Sequence, residues 1–197
     1  MKQAVILHGT DGQPKSNWFP WLKGKLEGEG YSVWAPLLPD NHTPNRETYN
    51  DFLLGPDAPD LTDAVVIGHS SGAVEVLNLL MDDRCPHIKL GIMVSAWAKN
   101  DVPDSYKQNL MAVGLQAEQF EYTFPPQGFD FEKIKSNADN LAFIHSADDP
   151  FCPLKQAQYL AKELDASLTE MHNAKHIGSN RTELPEAWQI ICQVTNY

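Results

Sequence analysis

Apolar positions along this chain fall into two alternating rhythms. Ala4–Leu7, Tyr31–Ala35, Ala64–Ile67, Leu90–Val94 and Leu141–His145 are short runs rich in apolar residues, several of them unbroken. Unbroken runs of that length suit strands covered on both faces. Between them, apolar residues recur at helical spacing. Trp18, Trp21, Leu22 and Leu26 form one stripe, closed by Gly28 and Gly30. Ala73, Val74, Val76, Leu77 and Leu80 form a second, and Leu154, Ala157, Leu160, Ala161 and Leu164 a third. Arg46 to Leu54 reads as a short helix, Ser167–Met171 as the last strand and Leu184–Val194 as the last helix. The stretch from about 97 to 138, with Pro103, Pro125 and Pro126, shows no such rhythm and is expected to be irregular.

Strands alternating with helices predict an α/β fold: a mainly parallel sheet with helices on both faces. The 197 residues suit one domain spanning 1–197, with no linker, repeat or low-complexity tract. In such sheets ligand sites gather at the carboxyl ends of the strands, so those ends are where chemistry is to be sought.

The strand Ala64–Ile67 leads into Gly68-His69-Ser70-Ser71-Gly72, and the stripe from Ala73 leads out. This is G-x-S-x-G between a strand and a helix, the setting of a nucleophile elbow. The flanking glycines let strand and helix approach closely, and Ser70 is left at a helix N-terminus. Ser71 lacks the paired glycines, and its backbone N–H is expected to stabilise an oxyanion instead. A second oxyanion N–H comes from the loop after the first strand in such folds; in His8-Gly9-Thr10-Asp11-Gly12 it is assigned to Thr10. His8 is expected to serve that loop as a structural hydrogen-bonding residue.

A serine nucleophile needs a base, and the base needs a carboxylate to hold its tautomer. The chain order is Ser, then acid, then His. Asp148 and Asp149 stand side by side after the strand Leu141–His145, and the residues alone do not choose between them. Of the histidines after the last strand, His176 sits deeper in its loop than His172 and is taken as the base. Their H-x-x-x-H spacing lacks the Glu after the first His and a helical setting, so a zinc site is not expected. His69 is expected to point away from the nucleophile. His42, His87 and His145 are expected at surface or core positions without a role.

These residues together resemble the YdeN-like family of small serine hydrolases, which includes retinoblastoma-binding protein nine. The segments carrying the resemblance are Val5–Gly9, Trp18–Leu26, Gly68–Ala73, Val94–Ala96, Phe131–Lys135, Asp148–Phe151 and His176. It implies a compact α/β-hydrolase domain without a large cap, and a Ser70, Asp149, His176 triad, since the family's acid precedes the proline. Cys152 stands where an aliphatic residue is more usual and is read as a small buried apolar side chain. An L-x-C-x-E segment, the family trait tied to pocket-protein binding, is absent: Asp83, Pro150 and Ile190 occupy the position two before each cysteine.

The resulting expectation is hydrolysis of a small ester or amide through an acyl-enzyme, with no cofactor or metal. Trp97, Tyr106, Phe120, Tyr122, Phe124 and Phe129 are either an apolar acyl pocket or ordinary cover for the sheet. A net charge of −11 argues against nucleic-acid and anionic-membrane partners. Three widely spaced cysteines, no signal-peptide core and no long apolar segment point to a cytoplasmic protein. Two rivals remain: an interaction domain that keeps the fold without the chemistry, and a lyase or haloperoxidase-like enzyme using the same serine.

Overall fold

A computed structural model describes residues 2–99, 103–178 and 180–195. Six strands form one sheet: β1 (Lys2–Leu7), β2 (Tyr31–Trp34), β3 (Val65–His69), β4 (Ile88–Val94), β5 (Ala138–Ser146) and β6 (Ser167–Met171). Their order is β2-β1-β3-β4-β5-β6, and every pairing is parallel. The parallel α/β architecture expected from the alternation is therefore present, as is the strand-to-helix order that the family resemblance implies.

Side chains alternate across each strand, which explains the unbroken apolar runs. Val5 and Leu7 of β1 and Val66 of β3 enter one core; Ala4, Ile6, Val65 and Ile67 enter the other. The first core packs against α2 (Arg46–Leu53), α3 (Ser71–Met81), α5 (Phe131–Ser136) and α6 (Leu154–Glu163). The second packs against α1 (Phe19–Gly28) and α7 (Pro185–Thr195), through Phe19, Leu22, Leu26, Ala187 and Ile191. Among the described residues no helix is long and apolar enough to cross a membrane.

The stretch expected to be irregular is not. It holds α4 (Asp104–Ala112), a 3₁₀ turn (Ala117–Thr123) and α5. In α4 only Leu110 is buried, so no apolar stripe marked it. α5 is six residues long, too short for a period, and is started by the Asp130 side chain accepting from Lys133 N. Leu110 of α4 and Phe120 of the 3₁₀ turn line a cavity that Ser70 also borders, so the two form an overhang beside the elbow. Leu110 and Phe120 from this overhang join Val74, Trp97 and Cys152 in a third apolar cluster.

Candidate active site

Ser70 sits between β3 and α3 at φ 56°, ψ −123°, a backbone conformation that costs a non-glycine residue about 1–3 kcal/mol. The strain is held in place by packing that only glycine permits. A Cβ on Gly72 would lie 2.5 Å from the His8 carbonyl oxygen and 2.7 Å from that of Leu7. A Cβ on Gly9 would lie 2.8 Å from the Ser70 Cβ. The first loop and the elbow thus touch backbone to backbone.

That contact brings Thr10 next to the elbow. Thr10 Oγ1 donates to Ser71 Oγ at 3.0 Å. Among the described residues neither the Thr10 nor the Ser71 backbone N–H has a protein acceptor. His8 anchors the loop from beneath: its Nδ1–H donates to Gly9 O at 2.8 Å, and its Nε2 accepts from Leu38 N at 2.9 Å. The bond from Leu38 N requires a neutral ring, and burial lowers its pKa despite the Gly9 bond.

His176 lies in the loop after β6, between Lys175 (φ 54°) and Ile177 (φ 50°). A positive φ is an outlier for β-branched Ile177. Its backbone carbonyl accepts from Trp18 Nε1 at 2.8 Å, and its side chain is buried. The two adjacent aspartates part company here. Asp149 meets His176: Nδ1 lies 2.8 Å from Oδ2 and 3.1 Å from Oδ1. Asp149 Oδ1 also accepts from Phe151 N at 2.9 Å and Cys152 N at 3.0 Å. Burial pushes the Asp149 carboxyl up, but His176, His145 and the Cys152 N–H together hold it below the ordinary range. Asp148 instead ties the loops together, accepting from Ser146 Oγ at 2.5 Å and Lys175 N at 3.1 Å.

Two histidines have surroundings that the sequence did not foretell. His69 does not point away. Its ring lies 5.0 Å from that of His176, and its Nε2–H donates to the His176 backbone carbonyl at 2.8 Å. Burial and the neighbouring His176 lower its pKa to about 3. His145 is wholly buried beneath Asp149, with Nε2–H donating to Cys152 O at 2.9 Å. Position immediately before the serine was the one available signal for His69; His145 had none. His172 lies near neither Ser70 nor Asp149 by any hydrogen bond among the described residues.

Ser70 and His176 border one cavity of about 190 Å³ with Gly9, Thr10 and Asn17 on its polar side. No direct hydrogen bond joins the Ser70 hydroxyl and the His176 ring among the described residues, a looseness common before substrate arrives. Trp97, Leu110, Leu115, Phe120, Phe151 and Cys152 form the apolar wall. Phe124 supports it by packing against Trp97 at 5.7 Å. Tyr106, Tyr122 and Phe129 lie outside the lining. Asp149, Cys152 and His176 offer three atoms within 4.8 Å that could in principle meet a metal. The donor set is poor, since burial raises the Cys152 pKa and keeps it a thiol, and His176 Nδ1 already faces the carboxylate.

A family described as serine hydrolase matches residues 4–193. The chain belongs to the serine hydrolase family. The hydrolase is 27% identical to YdeN of Bacillus subtilis (strain 168), over 96% of this chain and 94% of that one. It is 28% identical to "Serine hydrolase RBBP9" of Rattus norvegicus, over 96% of this chain and 93% of that one. The crystal structure of the B. subtilis ydeN gene product superposes with a TM-score of 0.83 at 25% identity, covering the whole of both chains. Est1E from Butyrivibrio proteoclasticus, 13% identical, shares the fold at a TM-score of 0.71, covering all of this chain and 90% of that one.

Proposed function

We propose that the hydrolase cleaves small esters or amides through an acyl-enzyme formed on Ser70. His176 takes the Ser70 proton as the hydroxyl attacks the substrate carbonyl. Asp149 keeps the proton on His176 Nδ1, so that Nε2 is free to accept, and it stabilises the imidazolium that forms. The oxyanion rests on the Thr10 and Ser71 backbone N–H groups, and the leaving group departs with the proton from His176. Water then attacks the acyl-enzyme by the same route, returning Ser70 to its hydroxyl form.

The observation that carries this reading is the 2.8 Å contact of His176 Nδ1 with Asp149, made beside the same cavity that the strained Ser70 enters. The cavity argues for the acyl group. Its lining includes no Asp, Glu, Lys or Arg among the described residues, which favours an uncharged acyl moiety. An apolar cavity of roughly 150 Å³ holds one benzene ring, so about 190 Å³ suits a short chain or a single ring.

Labelling with a fluorophosphonate probe tests the proposal. Wild-type protein should be labelled, whereas Ser70→Ala and His176→Ala should not. Equal labelling of folded Ser70→Ala would refute the assignment of the nucleophile. A folded wild-type protein inert to both the probe and p-nitrophenyl acetate would favour a non-catalytic role.

A further inference from the structure

His176 is held in a segment that resists its own conformation. Asn173, Lys175 and Ile177 all have positive φ, and only asparagine tolerates this readily. A loop of this kind keeps one shape only when its surroundings over-determine it. Asp149 fixes the His176 ring, but a ring can be bonded correctly on a backbone that has drifted. The backbone carbonyl of His176 is where such drift is opposed.

Two side chains converge on that oxygen. His69 Nε2–H donates to it at 2.8 Å and Ser95 Oγ–H at 3.1 Å. Their positions in the sheet matter. His69 ends β3 and immediately precedes Ser70. Ser95 follows β4, with its own N–H bonded to Ile144 O at 2.9 Å and φ at 53°. Ser70 N in turn donates to Val94 O at 2.9 Å. The ends of two neighbouring strands therefore carry both the elbow and the donors that grip the His176 backbone. Trp18 and Phe19 enclose the His69 ring, with centroids at 6.2 and 6.1 Å.

We infer that His69 and Ser95 are positioning residues, which set the distance from Ser70 to His176 by clamping the His176 carbonyl to the ends of β3 and β4. The inference rests on the reading of His176 as the base. His69 is suited to the task because its ring is buried and its Nε2–H is directed at the His176 carbonyl. The clamp references the base to the residue next to the nucleophile, so both partners move with the same strand. A misplacement of ~1 Å between reacting groups costs about 100-fold in rate.

The experiment measures p-nitrophenyl acetate hydrolysis for wild type, His69→Phe, His69→Gln and Ser95→Ala, each also in a His176→Ala background. Thermal midpoints establish that each variant is folded. Removing either donor should lower kcat by about 10-fold or more with KM little changed. Gln, which keeps an amide donor, should restore most of the loss at position 69. In the His176→Ala background neither change should cost anything further, because the clamp acts only through His176. Undiminished kcat in folded His69→Phe and Ser95→Ala overturns the inference, as does a loss of equal size in the His176→Ala background. If His69→Phe does not fold, Ser95→Ala decides alone. A His176→Ala protein with wild-type turnover overturns the reading of the base itself, and the clamp with it.

Discussion

Replacing Asp149 with asparagine should disable the hydrolase while leaving its shape intact, and the hydrogen bonds give the reason. Asp149 Oδ1 accepts two backbone N–H groups, from Phe151 and Cys152. In Asp149→Asn the amide oxygen must occupy that position, because an NH₂ there would face two donors. The NH₂ is then forced to the place of Oδ2, 2.8 Å from His176 Nδ1. It can only donate, so Nδ1 becomes the acceptor and the ring proton moves to Nε2. His176 would then present an N–H rather than a lone pair to Ser70. A wrong tautomer of this kind costs about 10⁴-fold in kcat, or roughly 5.5 kcal/mol of barrier. Asp148→Asn is the control: Asp148 binds Ser146 and Lys175 rather than His176, so its loss should lower stability more than turnover. Turnover of p-nitrophenyl acetate and the rate of fluorophosphonate labelling report the difference. Activity of folded Asp149→Asn within threefold of wild type, or a larger loss in Asp148→Asn, would refute the reasoning.

Three further outcomes follow from burial and packing. His69 is neutral when folded, with a pKa of about 3 against an ordinary 6.5, so the unfolded chain binds more protons between those values. Stability therefore falls as pH drops through that window, by about 1.4 kcal/mol per pH unit; His8 and His145, also lowered by burial, steepen it. Urea unfolding of His69→Gln should show a flatter profile from pH 6 to 4, and an unchanged slope would count against a neutral buried ring. Glu75, fully buried on α3 with Oε1 lacking a partner among the described residues, has its carboxyl pushed well up by burial despite the Asn78 bond. The folded state keeps a proton that the unfolded chain releases above its ordinary pKa, so stability is lost as pH rises; Glu75→Gln should gain over wild type progressively from pH 5 to 8 in the same assay. Leu110→Ala opens the apolar wall of the cavity from the overhang. It should raise the kcat/KM ratio for hexanoyl over acetyl esters at least about 10-fold, the worth of one or two methylenes in an apolar pocket; an unchanged ratio would place the acyl group elsewhere.

Much of this architecture is written in local pattern. A parallel strand covered on both faces must be apolar at successive positions, and an amphipathic helix must repeat its apolar residues at 3.6. Those constraints act within a few residues, so the six strands and the longer helices were legible to within a few positions. The elbow was legible in part for the same reason: Gly68 is demanded by contacts within one strand-to-helix turn, whereas Gly72 is demanded by the Leu7 and His8 carbonyls of the first strand and its loop. Where the pattern was weak, legibility ended. α4 buries one residue and α5 runs six, and neither length nor periodicity could announce them.

What the tertiary structure alone decided is a matter of direction. Asp148 and Asp149 are equivalent as letters in a turn, and a contact across 27 residues determines which of them meets His176. The orientation of His69 depends equally on a loop 107 residues away. The cavity wall, drawn from Trp97, Leu110, Phe120 and Phe151, assembles from segments with no common period. Local sequence constrains backbone conformation and the side of an element that is apolar. Which side chains converge on one point is set by how the elements pack, because that packing minimises the exposed surface of the whole chain rather than of any segment.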